Sequence, residues 1–123
     1  MADMKVEGIE DLLVEIERLG REGSKIENKA LKEAGDAVKI SIQNETPTRS
    51  GKLKTSITVS RVKTKGGIKQ VEVGPGSDGY YGKFLEFGTV KMKANPFMSR
   101  GYETSKSEAE RIIEEEIRKG LGL

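Results

Sequence analysis

Residues 74–79 read Gly-Pro-Gly-Ser-Asp-Gly and fit the spacing G-x-G-x-x-G. Glycines so spaced let backbone amides close around a pyrophosphate, provided a strand precedes them and a long helix follows. The surroundings here are wrong for that chemistry. The next segment is short, and the acidic residue expected about 20 positions on would fall at 95–99, where no acid stands. The preceding strand belongs to a hairpin, so it is antiparallel. The loop is read instead as a connection that orders when a partner binds. Nucleophilic chemistry fares no better. Thr48, Ser50 and Ser77 have no activating base except lysine, because the chain contains neither His nor Cys. Zinc sites of the usual kind, disulfides and iron–sulfur clusters go with them. The carboxylates of residues 108–116 are many, but helical spacing turns most of them to water. Nothing in the spacing of Glu72, Asp78 and Glu86 demands that they meet. The expectation is no catalytic residue, no cofactor and no metal.

What must position any binding surface is a small fold. The 123 residues suit one domain, 1–123. Leu, Ile, Val and Phe make up about 24% of the chain, above the roughly 20% below which disorder is expected, and net charge is only +2. Three Phe, three Tyr and no Trp leave a core that is mainly aliphatic and thin. A partner surface would complete it. No apolar run approaches the roughly 18 residues of a membrane span, and the first residues lack the apolar stretch of a signal peptide. An intracellular protein with no membrane partner is expected.

The predicted elements form an α+β domain. Residues 4–7 alternate as a short strand. Ile9, Leu12, Leu13, Ile16 and Leu19 make a helical stripe over 9–19, ended by Gly20 and Gly23. Ser24 and Glu27 have capping-box spacing, so a long helix is predicted over about 25–45, stopped at Thr46-Pro47. Its inward rows are small residues (Ala30, Ala34, Ala37, Gly35), which implies a closely packed neighbour. Residues 53–74 read as a hairpin about Gly66-Gly67. A two-residue turn would set Arg61 opposite Glu72 and split Ile57 and Val59 from Val71 and Val73. A longer loop would keep those four on one face and is preferred. Residues 80–87 suggest a helical turn, and 90–94 a further strand. Asn95-Pro96 opens a last helix over 96–119 whose apolar stripe is Met98, Tyr102, Ser105, Ala109, Ile112, Ile113 and Ile117. Glu114 with Arg118 and Glu115 with Lys119 are favourable pairs on its wet side.

Charge and aromatic residues are unevenly placed. Arg49, Lys52, Lys54, Arg61, Lys63, Lys65 and Lys69 follow one another with no acid between them, whereas residues 103–119 hold six acids against four bases. Such a basic run fits non-specific contact with phosphate backbones. It equally fits head-to-tail pairing with an acidic face, or an edge hairpin protected by lysines. Five of the six aromatics fall within residues 80–97. Tyr80, Tyr81, Phe84, Phe87 and Phe97, with Glu86 and Pro96, are therefore candidates for a local core or an interface anchor. A buried Glu86 would need a cation such as Lys52 or Arg100.

Two segments carry a resemblance. Residues 46–57, Thr-Pro-Thr-Arg-Ser-Gly-Lys-Leu-Lys-Thr-Ser-Ile, resemble the A-P-x-x-T-G-x-L-x-x-S-I segment of small tail components of long-tailed bacteriophages. Residues 80–97 resemble the same family's Y-x-x-x-x-E-F-G-T-x-x-x-x-x-P-F segment, with Glu86-Phe87-Gly88-Thr89 and Pro96-Phe97 matching directly. The family is the gene-product-ten-like group of head–tail joining, or neck and tail-completion, proteins. The chain departs from it at Thr46, where Ala is usual, at Ser50, where Thr is usual, and at Gly82, where a small Ala often stands. The resemblance implies a structural virion protein forming a homo-oligomeric ring, six subunits by analogy, in contact with other neck and tail proteins. It would occupy the virion, and the host cytoplasm during assembly. The basic residues would then face the DNA-filled lumen or a partner ring. The competing reading is a small basic-patch nucleic-acid-binding protein acting free in the cytoplasm.

Overall fold

The computed structural model describes residues 2–5, 10–47, 51–76, 82–88 and 93–123. Along the chain run β1 (Ala2–Lys5), α1 (Glu10–Arg18), α2 (Arg21–Glu45), α3 (Lys52–Ser56), β2 (Ile57–Val59), β3 (Lys63–Lys65), β4 (Ile68–Pro75), α4 (Gly82–Phe87) and α5 (Phe97–Gly120). The α+β class is as expected: a small antiparallel sheet lies on the long helix α2, and α5 packs along the same helix.

α2 is the axis of the fold. It begins at Arg21, four residues before the expected start. Gly20, at φ +56°, turns the chain into it, and Ser24 lies inside the first turn rather than capping it. Gly23 is likewise inside α2. The rows of small residues do what their size implies. Ala30, Ala34 and Gly35 are buried, and α5 and the sheet come close on either side. A methyl on Gly35 would sit 2.7 Å from Val59. α5 runs antiparallel to α2: Gly101 near its start lies against Ile42, and Gly120 at its end lies against Ile26. Ser41 donates to the Gly101 carbonyl at 2.7 Å, and Lys29 pairs with Glu116 at 3.2 Å. The predicted stripe of α5 is inward, with Met98, Ser105, Ala109, Ile113 and Ile117 buried and Tyr102 and Ile112 packed at its margin. On the wet side Glu114 pairs with Arg118, but Glu115 takes Arg111 at 2.9 Å instead of Lys119. Thr46 is buried, donates its hydroxyl to the Ile42 carbonyl and closes α2.

The sheet is ordered β1-β4-β2, with β3 also on β4. The first strand spans residues 2–5, and residues 6 and 7 of the strand expected at 4–7 lie outside the described residues. The predicted strand 53–65 is two short strands preceded by a helix, because residues 52–56 coil into α3 behind Gly51, at φ +73°. Of the strand expected at 90–94, residues 90–92 lie outside the described residues, and Lys93 and Ala94 are in no strand.

The register corrects the longer loop. Lys65 pairs with Ile68, so Gly66-Gly67 is a two-residue turn, both glycines at positive φ. Yet Val59 pairs with Val73, and Ile57, Val59, Val71 and Val73 share the core face. Both hold because Arg61 and Val62 together oppose Val71. This bulge slips the register by one residue. Ser60 holds it: its N–H donates to the Glu72 carbonyl at 2.8 Å, and its hydroxyl accepts the Glu72 N–H at 2.9 Å. Arg61 therefore does not face Glu72.

Candidate functional site

Glu86 is buried, and its partners among the described residues are groups of α5 rather than a cation. α4 aims its carboxylate at the first turn of α5. Oε1 accepts the Met98 N–H at 2.8 Å; Oε2 accepts the Ser99 hydroxyl at 2.6 Å and the Ser99 N–H at 3.3 Å. The first amides of a helix lack partners within it, and they carry the positive end of its dipole. Pro96, the residue before α5, supplies no side-chain cap. Glu86 is thus a cap from a different helix, and the positive end of α5 stabilises its charge. Arg100 goes to Glu45 at 3.0 Å and to Asn95 at 2.7 Å.

The cap fixes what stands next to it. Phe97 is fully buried and begins α5, whereas Phe87 is 75% exposed, the most exposed of the large apolar side chains among the described residues. Two consecutive residues of α4 therefore present an acid inward and an aromatic outward. Gly88 ends that helix at φ +78°. Tyr80 and Tyr81, and the side chain of Phe84, lie outside the described residues. Leu53 of α3 approaches Gly82 of α4, so α3, which carries Lys52 and Lys54, lies against the start of the same short helix.

The basic run does not form one open patch. Glu72 reaches across to Lys65 at 3.1 Å and Lys63 at 3.8 Å. The hydrogen bond from Lys65, helped by the charge of Lys63, holds the Glu72 carboxyl below its ordinary value. Lys69 points to the other face of the hairpin, toward α2, where it donates to Ser24 and, at 2.9 Å, to Asn28. Arg61 is exposed on the bulge, and Lys52 and Lys54 belong to α3. Arg49 lies outside the described residues. The glycine-rich loop is also partly consumed: Gly74 and Pro75 pair with Thr58 and Ile57, and the Gly76 N–H donates to the Ser56 carbonyl at 2.8 Å. Residues 77–79 lie outside the described residues.

Sequence reasoning missed a cleft at the opposite end of α2. Leu13 and Glu17 of α1, Glu27 of α2 and Thr64, Gly67, Ile68 and Lys69 of the hairpin enclose about 200 Å³. Burial pushes the Glu27 carboxyl up, against the lowering effect of Lys69 and with the help of Glu17. The capping-box spacing had given Glu27 a purely local role. Only the pairing of the hairpin with α2 reveals the other. Among the described residues no three of His, Cys, Asp and Glu are grouped to hold a metal, and no helix is long and apolar enough to cross a membrane.

A family model described as "Bacteriophage HK97-gp10, putative tail-component" matches residues 10–88. The matched stretch takes in α1 through α4, including residues 46–57 and Glu86-Phe87-Gly88. No curated protein and no solved structure matches the chain. The chain belongs to the HK97-gp10-like family of bacteriophage tail components.

Proposed function

We propose that this protein is a structural, non-catalytic component of a phage or prophage virion, one domain over residues 1–123, which assembles as a ring at the head–tail junction. By analogy the ring has six subunits and contacts neck and tail proteins. The family membership carries this reading. Two features of the chain support it. Glu86 spends its charge on placing α4, which then presents Phe87 to solvent; a side chain of that kind is more useful between subunits than within one. The cleft beside Glu27, about 200 Å³, is the second: its size suits one side chain of a neighbouring copy.

The free nucleic-acid binder draws less support. Lys63, Lys65 and Lys69 already have partners within the chain, so fewer cations are left for phosphates. Light scattering across concentration, at low and high salt, separates the two. The assembly protein forms a discrete oligomer. A DNA binder stays monomeric and loses DNA affinity steeply with salt, with a slope near the number of phosphates contacted.

A further inference from the structure

The exposed aromatic and the cleft lie at opposite ends of α2. Phe87 sits by the start of α5, where Arg100 joins Glu45; the cleft is bounded by Glu27. At 1.5 Å per residue the helix between Glu27 and Glu45 is about 27 Å long. Phe87 therefore cannot fill the cleft of its own chain. A knob and a hole on opposite ends are what a head-to-tail contact requires, and such contacts close into rings when the rotation permits.

The chemistry of the two ends is complementary. The cleft has Leu13 and Ile68 in its lining, with two carboxylates, Glu17 and Glu27, against one cation, Lys69, whose ammonium is held by Ser24 and Asn28. Neither carboxylate forms an ion pair among the described residues. α1, which supplies one wall, holds four acids against one base in Glu10–Arg18. At the Phe87 end Glu86 and Glu45 are already engaged by the α5 amides and by Arg100, and α3, which lies against the start of α4, holds Lys52 and Lys54 and no acid. Burial already disfavours the charge on Glu27, and an arriving cation would relieve that. Resting on the self-assembly reading above, we propose that Phe87 of one copy inserts into the cleft between α1 and the β3–β4 hairpin of the next copy, with the lysines of α3 facing Glu17 and Glu27.

The chain has no cysteine, so single cysteines can be placed without background. Lys54→Cys and Glu17→Cys proteins, which both keep Phe87, mixed and treated with a short bis-maleimide, should cross-link to each other and hardly to themselves. Phe87→Ser removes the knob, and Thr64→Phe, on an exposed strand position, fills the hole. Each should weaken self-association by at least about thirtyfold, as loss of an interface anchor does, with the thermal midpoint unchanged. Mixing the two should yield dimers and nothing larger, since each pair keeps one good contact. Wild-type assembly that survives both substitutions, or cross-linking mainly between like cysteines, overturns this pairing and leaves the ring reading standing. A wild-type protein monomeric at every concentration overturns both.

Discussion

The two ends of α2 are built to different ends. At the C-terminal end everything converges. α5 starts against Ile42, its amides are capped by Glu86, Arg100 bridges to Glu45, and Thr46 seals the last turn. At the N-terminal end α1 folds back over Gly23 and the hairpin arches across, but they leave a gap between them. The closed end gains its order from backbone groups that need satisfying. The open end keeps one half-buried carboxylate, Glu27, whose charge burial disfavours. The proposed head-to-tail contact would use this asymmetry, one end rigid enough to project a side chain and the other open to receive one.

Glycine makes the sharpest test of that contrast. A methyl on Gly101 would lie 2.6 Å from the Ile42 Cα, and one on Gly23 would lie 2.0 Å from the Ile16 carbonyl oxygen. Both clash with backbone, so neither can be relieved by a rotamer change. The first pries apart the central helix pair, and Gly101→Ala should cost about 3 kcal/mol of global stability. The second only lifts α1, which few other elements hold. Gly23→Ala should cost less, about 1–2 kcal/mol, and show as loss of amide protection confined to α1. Denaturant unfolding and hydrogen exchange read the two. Equal, global losses would mean that the open end is as integral as the closed one.

Removing the cap is the next largest effect. Glu86→Ala leaves the Met98 amide, which sits in buried surroundings, without its acceptor. About 2 kcal/mol should be lost, from a cap that is also a charged hydrogen-bond acceptor. Glu86→Gln keeps one acceptor oxygen and should lose about half as much. If the fold depended on Glu86 only as a surface charge, the two variants would be alike, and neither would make the 82–97 segment easier to cleave with protease.

How much of this could be read from residues alone depended on range. Helical stripes carried α1, α2 and α5, since a buried face repeats every few residues regardless of what covers it. The Glu86-Phe87-Gly88 segment was legible as a candidate, and so was the close packing implied by Ala30, Ala34 and Gly35. What stayed hidden was long-range. The cap on α5 comes from a residue twelve positions upstream of Met98, where a sequence rule looks only at the residue before the helix. The bulge at Arg61 and Val62 reconciles a tight turn with an unbroken core face, and no alternation pattern announces it. Leu53 to Ser56 has the Thr and Ser of a strand, but Gly51 at positive φ turns it into a helix. The cleft needed α1, α2 and the hairpin at once.

The smallest effects come from two glutamates reached from the hairpin, and they have opposite signs. Glu72 is held below its ordinary value of 4.5 by Lys65 and Lys63, so its contribution is present above that value and is lost as pH falls through the lowered folded pKa. Glu27 is raised above 4.5, chiefly by burial. Its cost is therefore present above the raised folded pKa and disappears as pH drops below 4.5. At pH 7, Glu72→Gln should lower the thermal midpoint by about 1–3 °C, the scale of an exposed ion pair, and Glu27→Gln should raise it by a similar amount or less. Both differences should shrink toward zero in scans taken well below pH 4.5. In the assembled protein the sign at Glu27 should change. If a neighbour's lysine faces that carboxylate, Glu27→Gln stabilises the isolated subunit but weakens the oligomer, whereas Glu72→Gln leaves association alone. A Glu27 substitution that strengthened both would place the acid outside the contact and return the open end to a mere imperfection in packing.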